Sequence, residues 1–176
     1  MKLPKVEIKK ILYATDLSES ARHAFAYAVS LANAYGASIT ILHVLFKVPN
    51  VDSIASFYIG QEEWKKIKQR TVDDARQALI GKKRENVAIQ EILTRISETA
   101  SAAAQSPASI TDEIIIKKGN PEDHILQQAE ERNCDIIVMG SHGHSAIAEA
   151  VIGNTARKVL RRSKIPVLAV RLPQDF

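Results

Sequence analysis

One stretch constrains this chain more than any other. Asp135-Ile136-Ile137-Val138-Met139 is apolar after its first residue, breaks into Gly140-Ser141-His142-Gly143, and is followed after nine intervening residues by Gly153-Asn154-Thr155-Ala156-Arg157. A short apolar run of this kind reads as a strand buried on both faces, as in a parallel sheet covered by helices. In such sheets ligands bind beyond the C-terminal ends of the strands. Gly140 and Gly143 remove side chains where a backbone could approach a ligand, and Gly153-Asn154-Thr155 opens a helix whose first amides have no intrahelical partner. Together with the positive end of the helix dipole, those donors suit an anion. The Lys-Ser/Thr ending of a Walker loop is missing. A phosphate here would be cradled by amides, which favours holding a nucleotide over hydrolysing it quickly.

The rest of the chain supplies the sheet. Ile8 to Thr15 reads as a first strand, and Asp16 and Ser18 carry helix-start chemistry. Ala21, Phe25, Ala28, Leu31, Ala32 and Tyr35 recur at helical spacing, and Gly36 provides the stop. Ser38 to Phe46 is a second strand, parallel to the first and joined to it by a right-handed crossover. Glu113 to Lys118 is the third strand. Asn120 and Pro121 then cap a helix running to about Asn133, with Ile125, Leu126 and Ala129 inward. The fourth strand and glycine loop follow, then a helix from Thr155 to Ser163 and a final strand from Val167 to Val170. Strands alternating with helices imply a three-layer, doubly wound α/β fold, and five parallel strands suggest the order 3-2-1-4-5. That order makes strands one and four neighbours and opens a crevice between Ala14-Thr15-Asp16 and Met139-Gly140.

Residues 47–112 are less legible. Pro49 to Gly60 reads as loop, with Phe57-Tyr58-Ile59 tucked against something apolar. Glu62 to Leu79 is helical by composition, with a possible break at Gly81-Lys82-Lys83. Val87 to Ala104 places Ile89, Ile92, Leu93, Ile96 and Ala100 on one side before Ser106-Pro107 ends it.

The spacing Gly140-x2-Gly143-x9-Gly153, directly after a strand ending Met139-Gly140-Ser141-His142-Gly143, resembles the ATP-binding signature of the universal stress protein family. The similarity extends to Ile11-Leu12-Tyr13-Ala14-Thr15-Asp16-Leu17-Ser18-Glu19 and to Ile165-Pro166-Val167-Leu168-Ala169-Val170. It covers most of the chain except the middle. It implies one family domain over residues 1–176, of the adenine nucleotide α-hydrolase-like architecture, with a lengthened helical region at about 47–112. That excess is either extra packing and subunit contact or a partner-binding appendage. Where ATP-binding members usually have Ser after the third glycine, this chain has Asn154, which still offers its amide and backbone N–H.

The resemblance implies a site residue by residue. Thr15 belongs to it through the matching N-terminal segment. Asp16 would accept hydrogen bonds from a ribose hydroxyl or base amino group, or else cap the first helix. Ala14 and Val44 would flank adenine, and Met139 would cover it; as core residues at strand ends they would look the same. Gly140, Gly143, Gly153, Asn154 and Thr155 would hold phosphates, and His142 would lie on the same loop, within reach of a phosphate or a bridging Mg2+. The implied ligand is ATP or another adenine nucleotide with Mg2+. The implied function is that of a homodimeric regulatory protein of the stress response, pairing through Val167–Val170, with an unidentified protein partner.

Two other readings stand beside it. A nucleotide-free scaffold would leave the glycine loop unused and bind through 47–112. An adenylate-handling enzyme or slow ATPase would share the architecture, but related α-hydrolases place Ser-Gly-Gly after the first strand, where this chain has Ala14-Thr15-Asp16-Leu17-Ser18. No Gly-x-Ser-x-Gly elbow anchors a hydrolase triad. His142 and His144 are two apart, but two ligands do not make a metal site.

At 176 residues and 45% hydrophobic content the chain can bury a substantial core. No apolar run approaches the ~20 residues of a membrane span, and no secretory leader is evident, so the cytoplasm is the expected compartment. The net charge of +4 is spread over helices without aromatic platforms, which favours solvated faces over nucleic-acid contact. Cys134 is the lone cysteine and reads as an inert core thiol.

Overall fold

The computed structural model describes residues 5–45, 51–67, 82–102, 111–143 and 152–173. Two compact units emerge, one of residues 1–46 and 100–176 and the other of residues 47–99. The first unit carries the sheet. Its strands are β1 (Lys10–Thr15), β2 (Ser38–Leu45), β3 (Thr111–Lys118), β4 (Ile136–Gly140) and β5 (Val167–Val170). All the pairings are parallel and the order is β3-β2-β1-β4-β5, as the alternation of elements predicts.

Register sorts the strand side chains onto two faces. Leu12 and Ala14 of β1 share a face with Leu42 and Val44 of β2 and with Ile137 and Met139 of β4. They form one core cluster with Ile125 and Ala129 of α4 (Pro121–Glu131) and Ala156 and Val159 of α5 (Asn154–Arg162). On the other face lies α1 (Glu19–Tyr35). Tyr13 donates its hydroxyl to Ala21 O at 2.8 Å and stacks tilted on Phe25 at 4.9 Å, tying β1 to the start of α1. With both faces covered, β1 is buried from Ile11 to Thr15, which explains its uninterrupted apolar reading.

The helix ends follow local chemistry. Ser18 caps α1, its hydroxyl accepting from Ala21 N, and Gly36 ends it at φ +64°, where a side chain would be strained. Tyr35, expected on the inward face, is 52% exposed because it sits in that last turn. Asn120 caps α4 with Pro121 in its first turn. Glu122 and Asp123, in the same turn, pair with Lys158 (2.9 Å) and Arg162 (2.8 Å) of α5. Lys164 pairs with Glu130 at 3.1 Å, so much of the basic C-terminal segment is matched by acids of α4.

The second unit corrects part of the sequence reading. Residues expected as loop form α2 (Val51–Ile59). The stretch between Pro49 and Gly60 contains no breaker, and the helix ends only at Gly60, whose φ is +91°. Phe57, expected to be tucked away, is 66% exposed and meets Tyr58 edge-on at 5.6 Å. Residues 61–67 are helical with Trp64 buried; the expected continuation to Leu79, and Gly81, lie outside the described residues. Helix α3 (Lys82–Ala102) begins earlier than the expected Val87 and buries Ile89, Ile92, Leu93, Ile96 and Ala100 as its periodicity predicts. Ser106 and Pro107 lie outside the described residues. No helix among the described residues is long and apolar enough to cross a membrane.

Candidate functional site

The ends of β1 and β4 meet at the mid-sheet crevice, Ala14 beside Met139 in register. Beyond β1 the chain makes a tight, self-bonded turn. Leu17 N donates to Thr15 Oγ1 and Ser18 N donates to Asp16 Oδ1, both at 3.0 Å. Between them Leu17 adopts φ +65° with its side chain 4% exposed. A leucine in the left-handed region costs about 1–2 kcal/mol, and burial plus the two bonds hold it there. The strain lies in the loop that aims Asp16. Asp16 is therefore not the cap of α1, a role that Ser18 fills.

His43 supports this loop from the neighbouring strand. It is 1% exposed, sits in register with Thr15, and approaches Thr15 O with Nδ1 at 2.8 Å. A carbonyl only accepts, so Nδ1 carries the proton. Nothing in the sequence marks this role, because only the parallel register sets the two strand ends side by side.

Beyond β4 the glycines act in three different ways. A Cβ on Gly140 would stand 2.7 Å from Ser20 Oγ and 2.9 Å from Ala21 N, so its missing side chain makes room for α1. A Cβ on Gly143 would stand 2.5 Å from Asp16 Oδ2. One on Gly153 would stand 3.1 Å from Ser141 O and 3.5 Å from His142 Cα. The β1 loop, the glycine turn and the start of α5 thus close on one another, as the order of strands predicts.

Ser141 joins these parts. Its N–H donates to Val170 O at 2.7 Å and its carbonyl accepts from Gly153 N at 2.8 Å. Its hydroxyl lies 2.8 Å from His142 Nδ1. Gly153, expected among the amide donors, therefore has its N–H engaged. The amides of Asn154, Thr155 and Ala156 precede the first intrahelical bond, from Arg157 N to Gly153 O, and α5 has no side-chain cap. Asn154 Oδ1 accepts from Arg157 Nη2 at 3.3 Å, which engages the oxygen and keeps a cation in the first turn.

Ala14, Val44 and Met139 share one face at the strand ends and are 6–8% exposed within the core cluster. Among the described residues no group of three or more His, Cys, Asp or Glu could hold a metal ion, and His144 lies outside them. Burial pushes the Cys134 thiol up, in keeping with a core role.

A five-stranded parallel sheet in this order, with a glycine turn at the end of β4 facing the β1 loop, defines the adenine nucleotide α-hydrolase-like class. Residues 7–171 match the model of the universal stress protein family, and the chain belongs to that family. It is 27% identical to universal stress protein MJ0577 of Methanocaldococcus jannaschii, over 94% of this chain and 96% of that protein. It is 31% identical to universal stress protein YxiE of Bacillus subtilis, over 92% and 98%. Among solved structures it resembles a universal stress protein crystallised in complex with cAMP, at a TM-score of 0.62 and 25% identity, covering 94% of this chain and 98% of that one.

Proposed function

We propose that this protein binds an adenine nucleotide, ATP in the first instance, between the ends of β1 and β4, and acts as a homodimeric regulatory protein of the stress response. The observation that carries the reading is the convergence of Asp16, Gly143 and the first turn of α5 on one short loop. Asp16 offers an acceptor for ribose or base, while Asn154, Thr155 and Ala156 offer amides to phosphates. Ala14, Val44 and Met139 supply an apolar wall for the base. The cAMP complex of a relative supports an adenine nucleotide as the class of ligand. Mg2+ would enter with the phosphates, since the described residues lack a cluster of ligands for it.

The missing Walker lysine favours retention of the nucleotide over turnover. Strand β5 forms one edge of the sheet, with Val167, Leu168 and Ala169 half-buried. Such an edge is served by pairing with its own copy, and Leu168→Asp should shift the protein from dimer to monomer in light scattering. The test of the ligand is calorimetric titration of ATP, AMP and cAMP into wild type and Asp16→Ala. Micromolar binding that weakens in the variant supports the reading, and its absence for all three ligands overturns it.

A second reading is favoured by one contact. Arg157 engages Asn154 Oδ1, and if that closes the first turn of α5 to phosphate, the family fold becomes a scaffold that binds partners through residues 47–112. Failure of all three nucleotides, with partner binding lost on trimming α3, would select it.

A further inference from the structure

We propose that Ser141 is a positioning residue. Its hydroxyl holds the His142 imidazole in the tautomer with the proton on Nε2, and that N–H is a donor for a phosphate oxygen rather than a ligand for a metal ion. The inference rests on the nucleotide reading above and deepens it. Ser141 is 4% exposed, and its hydroxyl lies 2.8 Å from His142 Nδ1. His142 Nε2 is shielded from solvent and has no hydrogen-bond partner among the described residues.

Two tautomers are compatible with the 2.8 Å separation, and they leave different groups unsatisfied. Were Nδ1–H the donor, the serine hydroxyl hydrogen would be left without an acceptor and Nε2 would be a bare lone pair, two unsatisfied groups. With the hydroxyl donating to Nδ1, its hydrogen is used and Nε2–H alone lacks a partner. Each arrangement leaves one buried donor without a partner, but only the first also strands the Nε2 lone pair; unsatisfied buried groups are costly, so the geometry points to the second arrangement. A neutral imidazole has one donor and one acceptor nitrogen, and here the acceptor is occupied by serine. Nε2–H has no lone pair for a cation and calls for an acceptor.

The loop's position supplies one. His142 Cα is 3.5 Å from the Cβ position of Gly153, directly before the unpartnered amides of α5. An anion at those amides is next to His142, and its oxygens supply the acceptor that the described residues do not.

The test is long-range proton–nitrogen NMR on histidine-labelled protein at about pH 8, above the ordinary range of imidazole titration, free and with ATP. Wild type and Ser141→Thr should show His142 with a protonated Nε2 and an acceptor Nδ1. ATP should shift Nε2–H equally with and without Mg2+. Ser141→Ala should lose the single tautomer, and its affinity for ATP should fall about tenfold, with Ser141→Thr near wild type. A proton on Nδ1 in wild type overturns the proposal whether or not ATP binds, as does ATP affinity unchanged in Ser141→Ala. The expected tautomer with no response to ATP supports the serine–histidine pair but overturns the nucleotide reading, and with it the phosphate as acceptor.

Discussion

The carboxylate of Asp16 lies against the backbone of Gly143, with Oδ2 2.5 Å from the point where a Cβ on Gly143 would stand. The two residues belong to opposite ends of the chain, and the adjacency of β1 and β4 brings them together. Asp16 is held from its own side by Ser18 N at 3.0 Å, so the carboxylate is aimed and Gly143 leaves it room.

Gly143→Ala should therefore cost binding more than stability. The methyl meets the tip of a side chain, which can swing away, so the urea midpoint should move by no more than about 1 kcal/mol equivalent. Asp16 would leave its aimed position, and ATP affinity should fall about tenfold or more, close to 1.4 kcal/mol. Calorimetry beside urea unfolding separates the two effects.

Gly140→Ala should do the reverse in order of severity. Its methyl meets backbone, Ala21 N and Ser20 C each at 2.9 Å, and α1 would have to move off the sheet. Overpacking of this kind costs about 1–3 kcal/mol, read as a lower urea midpoint before any nucleotide is added.

Glu113 and Arg132 join β3 to the end of α4 through two bonds of 2.7 and 2.8 Å. The hydrogen bonds from Arg132 hold the Glu113 carboxyl below its ordinary range. A depressed carboxylate stabilises the fold fully above the unfolded value near 4.5, and the contribution is lost as pH falls through the lower folded value. With Glu113 half-exposed, the contribution is at most about 1 kcal/mol. Glu113→Gln should be less stable than wild type at pH 7, and the two should converge near pH 2.

Cys134 should be slow toward thiol reagents in the native state. It is 4% exposed and burial pushes its thiol up, so little reactive thiolate is present at neutral pH. Reaction with a disulfide reagent should be fast in urea and slow without it, and Cys134→Ser should retain nucleotide binding.

The sheet was legible because its strands announce themselves. Ile136 to Met139 and Ile11 to Ala14 are apolar on both faces, and Gly36 and Asn120-Pro121 mark helix ends by backbone chemistry alone. The close packing of the candidate crevice was legible where it depends on glycine, since Gly143 and Gly153 sit where a side chain would meet Asp16 or the Ser141 carbonyl. What stayed hidden depends on register and on bonds between distant segments. His43 supports Thr15 only because β1 and β2 are parallel and in step, and nothing in the sequence marks Ser141 for its contacts with Val170, Gly153 and His142. Leu17 gave no signal of its left-handed backbone, because leucine rarely adopts one. Pro49 to Gly60 read as loop, and helix formation over 51–59 reflects the absence of any breaker before Gly60.

The most direct test of nucleotide binding in this crevice begins with the purified protein itself: denature it, identify any nucleotide released, then titrate ATP with Mg2+ into wild type and Gly153→Val. A valine there would press on the Ser141 carbonyl, 3.1 Å from its Cβ, and disturb the turn that carries His142 and Gly143. Released adenine nucleotide or micromolar binding by wild type, lost in a variant that remains folded, is the predicted result. A wild type that neither carries nor binds an adenine nucleotide, or a folded Gly153→Val that binds as well as wild type, would contradict it.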